Sequence, residues 1–462
     1  MRMRLMFQPL RMRIIMGFWL IWQIAIAFSC RPVQDDYAYL DIGSNQGFSN
    51  YLSDFWSNWG GNLTPSLIRI PFYLPCISGV HWWGFALYSF LTSLLVLFTS
   101  MILTTWLRGK SVKDFDARDI TIAIFTCIGF EGIFSPGLLA AFVFGPASST
   151  HLVPICFLII GLWLCTFDNQ RSIIKIVLWL PILISGFIAG NCNFAEGGLA
   201  IGVISILLIG NQVRPELVHK LGFTKIGNLI IFGVGTLIGF ITIIASPGFK
   251  NRADSGNGLP SGFKEILIGF RSSFVSFSGD VITHPVWIFI LIFAILFFGR
   301  SLIEEIVGTR ALALIIVTAL CYLSLIIGTA FAYAAWHQSV GLLFLLTPSA
   351  LATAHFLLPA PHIVKRYTLL LRISSSILAI VILILITRVT ILEISRGATW
   401  DRNLVVNTCL IKKDSQSKLN GAEVRYWPLG LGVEDINRWD WMSNNYKNWL
   451  NNPNFKKEVI CD

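Results

Sequence analysis

Residues 31–75 read RPVQDDYAYLDIGSNQGFSNYLSDFWSNWGGNLTPSLIRIPFYLP. The stretch is polar, carrying Asp35, Asp36, Asp41, Asp54 and Arg69, with Tyr51, Phe55, Trp56 and Trp59 between them. On both sides the chain turns apolar, in runs near the ~20 residues a helix needs to cross the hydrocarbon layer. A charged, aromatic segment between two such runs is a loop at a membrane surface, where Trp and Tyr form interfacial belts. Pro65 marks a helix start inside it. The spacing therefore predicts a first outer loop over residues 30–75 that contains short interfacial helices.

Working outward, the 462-residue chain is 55% hydrophobic and 13% charged. A soluble globular protein carries roughly 25% charged residues. Apolar runs recur along most of the length without strand-like alternation, so helices are expected and a barrel is not. Runs starting near Ile14, His81, Ile120, Leu152, Ile173, Ala200, Gly227, Val281, Ala311, Gly341 and Leu369 give about eleven spans. The expected fold class is an all-α integral membrane protein, a polytopic helical bundle. Residues 1–387 form its transmembrane domain and residues 388–462 a small extracytoplasmic tail or cap. The tail holds Trp400, Trp427, Trp439, Trp441 and Trp449, too aromatic for a disordered segment.

The net charge of +10 sits largely in short links, such as Arg108, Lys110, Lys113 and Arg118. That is the positive-inside pattern, so no nucleic-acid partner is needed to explain it. It puts the N-terminus in the cytoplasm, the C-terminus outside, and the protein in the cell membrane with lipids as neighbours. Arg2, Arg4, Arg11 and Arg13 ahead of Ile14–Phe28 resemble a signal peptide's basic flank. Ala27-Phe28-Ser29 before Cys30 is a poor cleavage site, so an uncleaved first helix is expected. No C-x-x-C occurs among the nine cysteines, which removes a zinc or redox motif. Cys30 with Cys76, and Cys409 with Cys461, are two pairs that an oxidising compartment could bridge.

This topology gathers polar groups at one membrane face: Asp35, Asp36, Arg69, Glu131, Asn193, Glu196, Lys250, Arg252, Trp336 and His337. Ionisable groups at membrane depth are functional candidates by default. A positioned carboxylate serves as base toward a hydroxyl, and arginine stabilises a departing phosphate by paired contacts. Paired carboxylates also hold a divalent cation, Mg or Mn, through oxygen ligands. Each residue has a plainer reading. Asp35 and Asp36 can cap a helix, Glu196 can suit a helix dipole, and Arg252 can hold lipid headgroups. Arg69 can snorkel, Glu131 can pair inside the bundle, and Trp336-His337 can be an interfacial pair.

The order of Asp35-Asp36-Tyr37, Trp59-Gly60-Gly61-Asn62, Asn193 to Glu196, and Ser246-Pro247-Gly248 through Arg252 resembles the GT-C superfamily of polyprenyl-phosphate-dependent glycosyltransferases. It is most similar to an uncharacterised bacterial multi-spanning group with an Asp-Asp-aromatic first outer loop. The chain departs from that pattern at Gly61 and Asn62, where an arginine is expected, with Arg69 as the candidate substitute. The resemblance implies a GT-C-like fold and an inverting transfer of a sugar from a polyprenyl-phosphate carrier to an extracytoplasmic glycan or lipid. Asp35 or Asp36 would be the catalytic base. Arg69, Asn193, Glu196, Lys250, Arg252, Trp336 and His337 would bind substrate. Two other classes stay open: a transporter or flippase of lipid-linked glycans, and a non-catalytic assembly protein with the tail as a docking module. A flippase should place essential charges deep in the spans.

Overall fold

A computed structural model gives the fold. It describes residues 2–32, 35–77, 82–108, 120, 123–124, 148–167, 172–255, 264, 267–268, 270–271, 274–275, 308–332, 349, 368–414, 418–419, 422–427, 430–435, 440–452 and 460–461. The expected span at 281–298, and most of those at 341–358 and from Ile120, lie outside these residues.

The described residues are overwhelmingly helical. A first helix, α1 (Arg2–Ser29), leads into three short ones: α2 (Asp35–Asn45), α3 (Phe48–Asp54) and α4 (Leu63–Tyr73). A π-turn over Phe55–Trp59 follows α3. Then come α5 (Trp83–Arg108), a π-turn at Ser148–Leu152, α6 (Val153–Cys165), α7 (Ser172–Asn191) and α8 (Phe194–Val213). They are followed by α9 (Pro215–Lys220), α10 (Ile226–Ile244), α11 (Pro247–Ser255) and α12 (Gly308–Ala332). The last elements are α13 (Thr368–Lys413), an antiparallel hairpin of β1 (Ala422–Trp427) and β2 (Gly430–Asp435), and α14 (Asp440–Leu450). Among the described residues, Trp83–Leu107, Ser148–Cys165, Phe194–Val213 and Ile226–Ile244 are long and apolar enough to cross a membrane. The chain is a helical membrane protein.

One helix pair fixes the bundle's geometry. On α7, Gly186 and Gly190 lie four residues apart; on α10, Gly235 and Gly239 do the same. That spacing puts small residues on one helix face and lets backbones meet where lipid supplies no hydrophobic drive for association. A Cβ on Gly190 would lie 2.2 Å from the Thr236 carbonyl oxygen, and one on Gly235 would lie 2.3 Å from that of Leu183. The contact carries on to the end of α7. There Asn191 Nδ2 donates to Gly239 O (3.1 Å) and Thr242 Oγ1 (2.6 Å). At the other end of the bundle, Arg310 Nη1 and Nε donate to Trp106 O (2.6 Å) and Lys220 O (3.2 Å). They use carbonyls that helix ends otherwise leave unmatched.

The last helix runs further than its apolar part. The expected span stops near Ile386, yet α13 continues to Lys413 without a break, 46 residues in all. At 1.5 Å per residue that is about 69 Å, well beyond a ~30 Å hydrocarbon core. Its 390–401 segment lies along the end of α1. Trp22 Nε1 donates to Thr390 Oγ1 (2.7 Å), and Arg31 grips Asp401 by two bonds of 3.0 and 2.8 Å. From there the tail folds back. Cys409 and Cys461 are bonded, and α14 packs its Tyr446 and Trp449 against Tyr37 of α2. Cys30 and Cys76 are not joined; their thiols point to Ile26 O and Phe72 O, each in the preceding turn.

Candidate functional site

Helix α2 begins at Asp35, so both acids sit in its first turn, where a carboxylate complements the helix dipole. Only the backbone of Asp35 is described. Asp36 turns inward and is 0% exposed. Its Oδ1 accepts a hydrogen bond from the Tyr73 hydroxyl of α4. Ser66, Arg69 and Tyr73 follow one another at spacings of three and four, which aligns them on one face of α4, and all three are buried. That face carries the chemistry. The Arg69 guanidinium is 3% exposed and lies 4.1 Å from the Tyr39 ring centroid and 5.9 Å from that of Tyr73. Its Nε donates to Pro65 O (3.2 Å), while Nη1 has no partner among the described residues. The Tyr51 hydroxyl lies 3.1 Å from Ser66 Oγ.

These groups share one electrostatic environment. Burial pushes the Tyr73 phenol well above its ordinary range; Asp36 adds to the rise and Arg69 opposes it. For Arg69, burial alone would lower the value, and the oxygens of Tyr39, Tyr51 and Tyr73 outweigh it, so the guanidinium stays charged. Asp36, Tyr73 and Arg69 thus form a contiguous acid–phenol–cation set.

A second polar set abuts the first. Helix α4 is fastened to the turn between α7 and α8: Asn62 Nδ2 donates to Cys192 O (2.9 Å), and Thr64 N and Oγ1 donate to Asn191 Oδ1 (3.0 and 2.6 Å). Asn193 is the N-cap of α8, its side chain accepting from Ala195 N at 3.0 Å. Three residues on, Glu196 is 4% exposed and meets His151 of the second π-turn, with Nδ1 to Oε1 at 2.8 Å. His151 is 2% exposed, and its Nδ1 lies 3.3 Å from Asn193 Nδ2. On the same π-turn, Ser148 Oγ is 2.6 Å from the Tyr88 hydroxyl of α5. Burial pushes the Cys192 thiol well above its ordinary value, the Glu196 charge adding to this and Arg69 opposing it. Cys192 therefore lies within electrostatic reach of both sets.

The structure brings Asp36, Arg69, Asn193 and Glu196 to one end of the bundle. Lys250 is exposed on α11, and that helix is tied to the first loop by Asn251 Nδ2 donating to Ser57 O at 3.0 Å. The backbone of Arg252 lies on α11; its side chain, and Glu131, Trp336 and His337, lie outside the described residues. The absent arginine at Gly61 has a steric reason. Gly61 adopts φ +72, and a Cβ there would stand 2.1 Å from Ser246 Oγ. Tyr73 and His151 were missing from the sequence-predicted set. Tyr73 is hidden in the apolar run Ile70-Pro71-Phe72-Tyr73-Leu74, and His151 stands at the head of an apolar run, 45 residues from its partner. Among the described residues no three His, Cys, Asp or Glu side chains converge; Asp36 takes a phenol donor.

Between α8 and α12 a cleft of about 310 Å³ opens, lined by Phe194, Gly198, Gly202, Leu320 and Ile327, with Phe240 of α10 beside them. Fold and site together define a helical membrane protein with a buried acid–phenol–arginine set at one end of its bundle. No family model, curated protein or solved structure matches the chain.

Proposed function

We propose that the protein is a membrane glycosyltransferase of GT-C type, moving a sugar from a polyprenyl-phosphate carrier to a glycan or lipid acceptor outside the cytoplasmic membrane. The observation that carries this reading is the juxtaposition of Asp36 with Arg69 through Tyr73. In it Asp36, with Asp35 beside it, is the base that takes the acceptor hydroxyl's proton. Asp36 is sealed, so the acceptor reaches it only once the Tyr73 hydrogen bond opens. Arg69 Nη1, buried and unfilled, holds the leaving phosphate, as a guanidinium in a low-dielectric site does well. The exposed Lys250 and the neighbouring Arg252 on α11 steer the headgroup. Asn193 and Glu196 position the sugar, with Trp336 and His337 as further substrate-binding residues. The apolar cleft suits a hydrocarbon chain.

A second reading, a flippase of lipid-linked glycans, is favoured by one observation: His151 and Glu196 are ionisable, paired and buried within spans, the pattern of substrate or proton pathways. One experiment separates the two. Purified protein in vesicles is given a panel of polyprenyl-phosphate sugars and a hydroxyl acceptor. Sugar–acceptor bond formation supports transfer; carrier reorientation without bond formation supports the flippase.

A further inference from the structure

Two charged groups at the buried end of the bundle have bonding capacity left over: Arg69 Nη1 and Glu196 Oε2. Among the described residues Glu196 has His151 as its partner, and no carboxylate pairs with Arg69. His151 Nδ1 faces Glu196 Oε1 at 2.8 Å and Asn193 Nδ2 at 3.3 Å. These contacts ask opposite roles of one atom. As a donor, Nδ1–H serves the carboxylate, and the pair carries one negative charge. As an acceptor from Asn193, Nδ1 needs a proton on Glu196, and the pair is neutral. The two arrangements differ by one proton.

The charges around the pair decide between them. Glu196 of α8 meets His151 of the π-turn, whose Nδ1 also faces Asn193 of the α7–α8 turn, and its charge is felt by Cys192 of that turn and by Cys321 of α12. Arg69 of α4 is the cation that Cys192 feels together with Glu196, and the Tyr88 hydroxyl of α5, which bonds Ser148, also feels Arg69. Helix α4 is fastened to the α7–α8 turn at Asn191 and Cys192, and Cys192 feels both Arg69 and Glu196, so while no anion sits at Arg69 its charge favours the negative pair. Once an anion takes the open Nη1, a negative pair is left uncompensated in a low-dielectric interior, where that is costly.

We infer that docking of an anionic headgroup at Arg69 drives uptake of one proton by the His151–Glu196 pair. The inference rests on the proposed function only in expecting that anion to be a phosphodiester. By linkage, protonation tightens anion binding by the same factor, typically about tenfold. The anion-bound state holds more protons, so affinity falls as pH rises through the pair's titration.

The test is calorimetric titration of the full-length protein in detergent, in two buffers of different ionisation enthalpy. The probes are sulfate and a short-chain dialkyl phosphate, neither of which titrates near neutral pH. The expected result is uptake approaching one proton per bound dialkyl phosphate. Uptake with sulfate too assigns the site to any small anion; uptake with the dialkyl phosphate alone assigns it to a lipid headgroup. Glu196→Gln should abolish the uptake and flatten the pH dependence of affinity. His151→Gln should do the same, which covers a Glu196→Gln protein that does not fold. Binding without proton exchange, uptake that persists in both variants, or no binding of either probe overturns the inference. Sugar transfer without proton uptake would overturn it and leave the transfer reading standing. Proton uptake without transfer would do the reverse.

Discussion

Alanine at Gly235 should loosen the whole site from a distance. Its Cβ would lie 2.3 Å from the Leu183 carbonyl oxygen and 3.1 Å from Phe187 N. Non-bonded heavy atoms rest at about 3.5 Å, so α7 and α10 must part by roughly 1 Å. The obstructing atoms are backbone and cannot rotate away, so the cost falls in the overpacking range of about 1–3 kcal/mol. Gly202→Ala is the matched control, because nothing lies within 4 Å of a Cβ there. Both changes gain the same helix propensity, about 1 kcal/mol, so that contribution cancels in the comparison. Thermal unfolding of both variants in one detergent should show Gly235→Ala melting well below Gly202→Ala. Equal melting would refute the close-packed glycine junction.

Asn191→Ala removes bonds to Thr64, Gly239 and Thr242. With buried donors left unmatched at about 1–3 kcal/mol each, backbone hydrogen exchange in α4 should accelerate while that in α13 does not. The Cys409–Cys461 bond closes a loop of sequence separation 52, worth about 4 kcal/mol by chain entropy. Reduction should therefore expose α14 to protease and add two alkylation mass shifts confined to these cysteines. Burial holds the Asp41 carboxyl above its ordinary value, with Asn448 and Asn45 opposing. The folded state thus holds this proton more tightly, and the stability it contributes at low pH is lost as pH rises from the ordinary value through the folded one. Asp41→Asn should remove that part of the stability–pH curve, read by thermal unfolding across pH.

The parts of the fold readable in sequence are those the bilayer dictates. Lipid forces continuous apolar helices, so α5, α6, α7 and α10 begin and end near their apolar runs. Asp35-Asp36 and the Asn193–Glu196 turn were legible because acids and a capping asparagine stand out beside apolar runs. Tyr73 and His151 were not, because their partners are distant in sequence and their neighbours are apolar. The course of α13 past Ile386 was hidden because polarity changes there without a helix breaker; Gly397, the small residue in its path, packs against Ser29 instead of ending the helix. That the Gly186/Gly190 and Gly235/Gly239 pairs face each other emerges only from the packing of α7 on α10.

The most direct test is sugar transfer by purified wild-type protein beside the Asp35→Asn/Asp36→Asn double variant, with polyprenyl-phosphate sugars and a hydroxyl acceptor. If Asp36 is the base, wild-type turnover should fall by roughly 10²–10⁴ in the variant, the usual contribution of a general base. Transfer that continues at the wild-type rate in the variant would contradict the role given to the acid at the head of α2.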